Sequence, residues 1–222
     1  MQLPGLITVQ PDQTKRIEDM ARMMGKNFME ELWTIEWLSS LDAIGASDER
    51  KQEIAQAIMK YDFIVGTPYE SCYMLPDMAA GAGGYLASDL KGQQWEQLEE
   101  KASALMAENT LSSIEQEVLF AHAEKMHHIS DFSWEVDAAA GNDFIHFTLL
   151  GVNPEHRGSG AFRKLITPFF DYADKRGINC YLECYSDKLE SLYSHVGFKT
   201  LKVLSDSAFS ITERCMLREP RA

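Results

Sequence analysis

The chain has 222 residues, of which 45% are hydrophobic and 25% are charged, so it can bury the core of one globular domain. Its 21 basic and 34 acidic residues give a formal net charge of −13. Residues 89–137 alone carry 11 acidic and 3 basic side chains. Such a surface repels nucleic-acid backbones and anionic membranes, which disfavours both as partners, and it suits cationic partners such as amines. The alternative is that most of these charges only keep the protein soluble.

Four cysteines are present without a Cys-x-x-Cys pair: Cys72, Cys180, Cys184 and Cys215. This usage predicts free thiols in a reducing cytoplasm. The first residues lack a basic segment and a long apolar run, and no stretch reaches the length of a bilayer span, so neither a signal peptide nor a membrane anchor is expected. The histidines of the acidic stretch lack a convergent set of carboxylates or thiols, so no metal site is predicted.

The first part of the chain favours a short strand followed by helices. A strand is expected at residues 6–10, and a helix follows because Ile17, Met20 and Met24 recur on one helical face. Ser47 is expected to cap the start of a further helix.

Residues 71–75 and 84–87 favour two short strands of a hairpin. No helix with a suitable start follows the cluster Gly81-Ala82-Gly83-Gly84 closely, so it favours a turn or a β-bulge over a phosphate loop. Two acidic helices are expected next, at residues 93–106 and 112–126, with Asn109-Thr110 separating them.

The last third of the chain predicts a strand-helix-strand unit and then a hairpin. Residues 143–150 and 180–185 are the two strands of the unit, and they should be parallel because a helical crossover joins them. The helix between them has a continuous apolar face and ends at Gly177. Residues 199–204 and 208–217 predict the terminal hairpin.

The glycine-rich corner before the crossover helix reads Arg157-Gly158-Ser159-Gly160-Ala161-Phe162. The first N–H groups of a helix have no intrahelical partner, and the helix dipole adds a field that favours an anion. Gly158 and Gly160 allow a diphosphate to approach the backbone. Neither the nucleoside-triphosphate loop nor the dinucleotide pattern is met, and a tight turn without a ligand would explain the spacing about equally well.

A second motif follows the next strand, where Leu192-Tyr193-Ser194-His195-Val196-Gly197-Phe198 places a tyrosine one turn before a terminal glycine. In this order, the two motifs resemble the GNAT superfamily of N-acetyltransferases. Members commonly carry Arg/Gln-x-x-Gly-x-Gly/Ala for acetyl-CoA and Leu-Tyr-x-x-x-Gly-Phe on the next helix. The chain departs from this pattern at Phe162, where Gly or Ala is usual, and at Ser186, where Asn is favoured.

The resemblance implies an α/β (α+β) fold with a mixed, largely antiparallel central sheet of six to seven strands flanked by helices. The acidic helical pair would then be an insertion between strands 3 and 4. Residues 1–222 form a single domain in this interpretation, with the acetyl-CoA-binding core at about 143–200 and the insertion at about 93–127.

The resemblance also implies acetyl-CoA as the cosubstrate. Leu150 and Val152 would bond the pantetheine arm through their backbones, and Ser186 would open the helix that bears Tyr193 beside the cofactor. The amides for the diphosphate would come from Arg157, Gly158, Ser159, Gly160, Ala161 and Phe162. Arg163 and Lys164 would either meet the 3′-phosphate or form a solvated basic face.

Tyr193 stands where the family places the general acid that protonates the leaving thiolate; the alternative is a tyrosine that only packs on the pantetheine. Glu183 and His146 are the candidate bases for the incoming amine, with water or a carboxylate near the acceptor as the alternative. Cys184 is disfavoured as an acylated nucleophile because no basic neighbour is placed to lower the pKa of its thiol.

The prediction is therefore a cytoplasmic, metal-free, acetyl-CoA-dependent N-acetyltransferase. It would act by direct attack in a ternary complex on the amine of a small molecule or a peptide, and the resemblance leaves homodimerisation open. The alternative is a non-catalytic acyl-CoA-binding sensor or interaction module that keeps the cofactor cleft.

Overall fold

Seven strands form one sheet in the computed structural model of the protein, which describes residues 1–131 and 133–221. The strands are β1 (Ile7–Thr8), β2 (Cys72–Met74), β3 (Ala80–Leu86), β4 (Phe144–Val152), β5 (Asn179–Cys184), β6 (Lys199–Ser205) and β7 (Thr212–Arg218). They lie side by side in the order β1-β2-β3-β4-β5-β7-β6. Strands β4 and β5 are parallel, as predicted, and the other neighbouring strands of the described chain are antiparallel.

Eight α-helices accompany the sheet in the described residues. They are α1 (Thr14–Phe28), α2 (Leu32–Ser39), α3 (Asp48–Gly66), α4 (Trp95–Thr110), α5 (Ser113–Met126), α6 (Trp134–Ala139), α7 (Ala161–Arg176) and α8 (Asp187–His195). Helices α4 and α5 confirm the predicted acidic pair between the third and fourth strands. Helix α4 continues through Thr110, so the prediction that Asn109 and Thr110 separate the pair is wrong. The short helix α6 was not predicted, because six residues contain too little periodicity to detect.

Side chains cap the N-termini of several of these helices. The Ser47 hydroxyl accepts the Arg50 N–H at 3.2 Å, as predicted, and Ser112 and Glu115 form a capping box at the start of α5. The Arg50 guanidinium donates to both carboxylate oxygens of Glu115, at 2.7 and 2.9 Å, and to the Thr110 carbonyl at 2.6 Å. These bonds tie the inserted helices to α3.

Two apolar layers cover the faces of the sheet. On one face, α7 packs its apolar side against the central strands, and the rings of Phe147 and Phe169 meet edge to face at 4.9 Å between centroids. On the other face, α1 and α3 pack together around the fully buried Met20 and Met24. A Cβ at Gly25 would lie 2.8 Å from the Gln56 Cα, so this glycine permits the close approach of α1 to α3.

The glycine cluster at residues 81–84 lies inside β3, so the prediction of a turn there is wrong. The alternative prediction of a bulge is confirmed, because the β3–β4 register shifts between Gly83 and Gly84. Gly83 pairs with Leu149 and Gly84 with Phe147, which leaves Thr148 as an extra residue on β4. A Cβ at Gly83 would lie 2.7 Å from the Thr148 hydroxyl, so a larger residue there would crowd the bulge.

All four cysteines are buried and free, in agreement with the sequence. Within residues 1–131 and 133–221, no helix combines the length and apolar character that crossing a bilayer requires.

Candidate active site

A cleft of about 1140 Å³ opens in the sheet where β4 and β5 separate. Parallel pairing between the two strands ends at Phe147 and Leu182, although β4 continues to Val152. The bulge at Thr148 bends β4 at this point. The cleft therefore passes between the two strands, with the start of α7 and the inner face of α8 forming its walls.

One end of the cleft is the glycine-rich corner. Gly158 and Gly160 have φ values of +81° and +84°, and a Cβ at either position would meet no atom within 4 Å. Residues 160–163 place four successive N–H groups there without a backbone acceptor among the described residues. This concentration of N–H groups at the positive end of α7 gives the corner the chemistry of an anion site.

Two residues of the corner, Arg157 and Ser159, lie differently from the sequence interpretation. The N–H groups of Arg157 and Ser159 close the local turn by donating to the carbonyls of Pro154 and His156. The Arg157 guanidinium donates to Glu30 at 2.8 Å and to Asn27 at 2.9 Å. Arg157 therefore joins the corner to α1, and Ser159 lies outside the cleft lining.

Leu150 and Val152 direct their N–H groups into the cleft. The Asn153 N–H donates to the Ala79 carbonyl at 2.9 Å, which fixes the side of β4 that faces β3. Successive residues of a strand point their N–H groups to opposite sides, so those of Val152 and Leu150 point away from β3. They face the gap that β5 leaves open.

Tyr193 lines the middle of the cleft from α8 and is 6% exposed. Burial raises the pKa of its phenol above the ordinary value. Among the residues that the structure describes, none forms a hydrogen bond with its hydroxyl. Phe162 lies beside it, with ring centroids 6.1 Å apart. The Ser186 hydroxyl accepts the Leu189 N–H at 3.3 Å, so this serine caps α8.

Glu183 lies beyond Tyr193 and belongs to a polar chain that runs into the protein. Both Glu183 carboxylate oxygens contact His146 Nε2, at 2.9 and 3.0 Å, and the Trp134 indole also donates to Glu183. On the other side of the imidazole, Nδ1 lies 3.2 Å from the Tyr85 hydroxyl, which donates to Glu135 at 2.9 Å. The sequence placed Glu183 and His146 together as candidates, and the structure brings them into contact.

The chain is similar to known proteins in part of its sequence and in its fold. No family model matches the chain. Over 78 residues the chain is 31% identical to a curated protein of Schizosaccharomyces pombe named an uncharacterized N-acetyltransferase. The match covers 34% of this chain and 31% of that protein, so it spans about a third of the relative's length.

Solved structures match over nearly the whole chain. A Corynebacterium glutamicum protein named as histone acetyltransferase HPA2 and related acetyltransferase covers 100% of this chain and 98% of its own, with a TM-score of 0.58 and 11% identity. The polyamine N-acetyltransferase of Drosophila melanogaster covers 96% and 98%, with a TM-score of 0.51 and 12% identity. The arylalkylamine N-acetyltransferase 2 of Aedes aegypti covers 97% and 98%, with a TM-score of 0.51 and 13% identity.

The chain has the GNAT fold. The resemblance carried by the two sequence motifs is thereby confirmed, as is the predicted mixed, largely antiparallel sheet of six to seven strands. In this fold the inserted helices α4 to α6 stand between β3 and β4, and α4 and α5 contribute side chains to the cleft.

The far end of the GNAT cleft is lined by carboxylates that the sequence did not single out. Burial raises the pKa of Asp62 on α3 to about 7. The pKa of Glu99 on α4 is raised to about 8, mainly by burial and to a smaller extent by repulsion from Asp62. Burial also raises the pKa values of Glu31, which caps α2, and Glu213 on β7, each to about 7. This end of the cleft favours a positively charged occupant.

Sequence reasoning missed these four acids because they come from four separate elements with no shared motif. Asp62 stands between apolar residues of α3, and Glu99 follows the buried Leu98 of α4, so each resembles a surface position of an amphipathic helix. Only the packing of α3 against α4 brings their carboxylates to one cavity.

Three neighbouring side chains form a potential set of metal ligands. Glu135, His146 and Glu183 place one ligand atom each within 4.8 Å of one another. However, Nε2 of His146 faces Glu183, whereas Nδ1 lies 3.8 Å from Glu135. Because the two carboxylates meet opposite nitrogens of one ring, the geometry suits proton sharing through the imidazole better than convergence on one ion.

Because the buried acids of the cleft have raised pKa values, we expect the thermal stability of the protein to fall as the pH rises from 5.5 to 8.5. A carboxyl group whose folded pKa is raised stabilises the native state at low pH, and this contribution is lost as pH passes through the folded value. Asp62, Glu31 and Glu213 titrate near 7 and Glu99 near 8 in the folded protein. Glu115, whose pKa Arg50 lowers to about 2, contributes constantly across this range.

We expect the melting temperature measured by calorimetry to be several degrees lower at pH 8.5 than at pH 5.5. The Asp62→Asn variant should show a smaller difference, because one of the titrating groups is removed. A melting temperature that stayed level or rose across this range would contradict the assignment of these carboxyls.

Proposed function

We propose that the protein transfers an acetyl group from acetyl-CoA to a cationic amine, of a small molecule or a peptide, by direct attack in a ternary complex. The observation that carries the proposal is the order of groups along one continuous cleft. The anion corner lies at one end, Tyr193 at the middle, and Glu183 with the buried acidic side chains at the other. This order matches the diphosphate, the thioester and the amine of such a complex.

Coenzyme A would enter at the corner formed by Gly158, Gly160 and the start of α7. The free N–H groups of residues 160–163 would bind its diphosphate, and Arg163, which lines the cleft, would add a positive charge. Lys164 is exposed on the same helix and is not among the lining residues, so Arg163 is the stronger candidate for the 3′-phosphate.

The thioester would lie where β4 and β5 diverge. There the N–H groups of Leu150 and Val152 would bond the pantetheine arm and stabilise the oxyanion of the tetrahedral intermediate. Tyr193 would protonate the departing thiolate, since its buried phenol keeps its proton at neutral pH and its hydroxyl is free to point at the sulfur. Holding both reactants in line supplies the rest of the rate enhancement.

Glu183 would take the proton from the acceptor amine. Its side chain is 19% exposed and faces the cleft, while His146 holds it in place from behind. The amine arrives as an ammonium ion, which the carboxylates of Asp62, Glu99 and Glu213 attract. Amines of this kind also appear in the names of the polyamine and agmatine N-acetyltransferases that share the fold.

The function is tested by incubating the protein with acetyl-CoA and a panel of amines while released thiol is measured. The panel contains a linear diamine, a monoamine of equal length, an amino acid and a short peptide. We expect thiol release with the diamine to exceed that with the monoamine, because the second ammonium meets the acidic end. Binding of CoA without thiol release for any amine would favour the non-catalytic sensor instead.

Asp62→Asn is expected to raise KM for the diamine by about tenfold and to change KM for the monoamine much less. The difference arises because only the diamine has a second ammonium group, and this group loses the attraction of the Asp62 carboxylate. Glu117→Gln is the matched control, since it removes one negative charge from an exposed position of α5 outside the cleft. Equal effects of Asp62→Asn on both substrates would contradict the proposed acidic subsite.

A further inference from the structure

Glu135 has no explained role in binding or in the attack on the thioester. Its side chain is 2% exposed and does not line the cleft, and its Oε2 atom has no hydrogen-bond partner among the described residues. Burying a carboxylate with an unsatisfied oxygen carries a large desolvation cost. Such a group calls for a functional explanation.

The surroundings of Glu135 connect it to the cleft through a continuous chain. Tyr85 on β3 and His146 on β4 are register partners, so their side chains share one face of the sheet. The chain runs from Glu183 to His146 Nε2, from Nδ1 to the Tyr85 hydroxyl at 3.2 Å, and from Tyr85 to Glu135 Oε1 at 2.9 Å. Each link is of hydrogen-bond length.

We propose that Glu135 is a proton store: it takes up a proton from His146 when Glu183 takes one from the acceptor amine. This inference rests on the proposed acetyltransferase function. Glu135 touches neither substrate, so it acts through His146 and Glu183 as a positioning residue that sets how strong a base Glu183 can be.

In the proposed resting state the cluster carries a net charge of −1, with Glu135 and Glu183 ionised and His146 protonated. Burial opposes a charge on His146, but the carboxylates of Glu183 and Glu135 outweigh it and raise the pKa of the imidazole to about 9. His146 is therefore a cation between two anions. Glu99 on α4 is the further titratable group that acts on the ring, and its ionised form also favours the imidazolium. Burial raises the pKa of Glu135, which prepares it to accept a proton.

Two proton transfers complete the step. The ammonium N–H bond breaks and an O–H bond forms on Glu183, which leaves a neutral amine to attack the thioester. His146 has then lost one of its two counter-ions. Its Nδ1 proton passes to the Tyr85 oxygen as the Tyr85 proton passes to Glu135, so the cluster ends neutral with two carboxylic acids and a neutral imidazole. Release of one proton to solvent through Glu183 restores the resting state.

The matched test pair is Tyr85→Phe against Tyr181→Phe. Both tyrosines are buried and both are register partners of His146, but the Tyr181 hydroxyl bonds Asn179 instead of the chain. We expect Tyr85→Phe and Glu135→Gln each to lower kcat with the amine by about tenfold, and Tyr181→Phe to leave it unchanged. If Glu135→Gln folds poorly, Tyr85→Phe still tests the proposal because it interrupts the same chain of hydrogen bonds.

The pH profile separates a proton store from a merely structural residue. In Glu135→Gln the resting cluster is neutral, so adding the amine proton produces a cation, and Glu183 becomes a weaker base. The acid limb of the kcat profile should therefore move to lower pH while the plateau falls. In the resting protein, nitrogen NMR should show His146 losing its imidazolium proton at lower pH in this variant than in the wild type.

The outcomes distinguish this inference from the function on which it rests. A wild-type protein that acetylates amines, with an unchanged pH profile and unchanged His146 titration in Glu135→Gln, would overturn the proton store alone. A wild-type protein that acetylates no amine would overturn both proposals.

Discussion

Replacing Gly160 with Asp is expected to weaken CoA binding by at least about 100-fold, close to 2.7 kcal/mol at 25 °C. The backbone at Gly160 has a φ of +84° and adjoins the first residue of α7. A Cβ there strains the turn, and the added carboxylate places a negative charge where the helix dipole and free N–H groups would meet the diphosphate. Titration calorimetry with CoA measures the loss.

Gly92→Asp is the matched control. Gly92 is an exposed residue with a φ of +87°, and a Cβ there also meets no atom within 4 Å, but it lies outside the cleft lining. Both variants should therefore lose similar amounts of thermal stability, whereas only Gly160→Asp should lose affinity for CoA. Equal CoA affinities for the two variants would show that the corner before α7 does not bind the diphosphate.

Tyr193→Phe is expected to reduce kcat by about 100-fold and to leave KM for acetyl-CoA within a few-fold of the wild type. The substitution keeps the ring that packs beside Phe162 and removes only the hydroxyl that would protonate the thiolate. Single-turnover measurement of acetyl transfer avoids any masking by slow product release.

Tyr172→Phe provides the control for loss of a tyrosine hydroxyl. Tyr172 lies on α7, where its hydroxyl accepts a hydrogen bond from Arg176 at 2.8 Å, away from the cleft lining. We expect this variant to have wild-type kinetics. A Tyr193→Phe enzyme that transferred acetyl groups as fast as the control would assign Tyr193 to packing on the pantetheine rather than to proton donation.

The proposed cofactor-binding half of the site could be predicted from the sequence because the signals for it are local. Three of these signals depend on neighbouring residues alone: a glycine before an apolar helix, a serine cap before Tyr193, and a crossover between two strands. Those features predicted β4, α7, β5 and α8 in the right order. Only the strand ends were displaced, and β4 extends two residues beyond the prediction, to Val152.

The proposed acceptor-binding half could not be predicted, because it depends on contacts between distant parts of the chain. The turn prediction at residues 81–84 failed for the same reason, because it used only the local preference of glycine for turns. Gly81 instead lies inside a strand that packs closely on α1, where a Cβ would lie 3.2 Å from side-chain carbons of Met20 and Met23. The same limitation applies to the proton-sharing chain. Glu135 lies on a six-residue helix, and no spacing in the sequence relates it to His146 or Glu183.

The most direct test of the central claim is a crystal structure of the protein with CoA bound. The account predicts the diphosphate against the N–H groups of residues 160–163, the pantetheine between β4 and β5, and the sulfur within hydrogen-bond reach of the Tyr193 hydroxyl. Coenzyme A bound at another surface, or a corner filled by the protein's own side chains at saturating CoA, would contradict it.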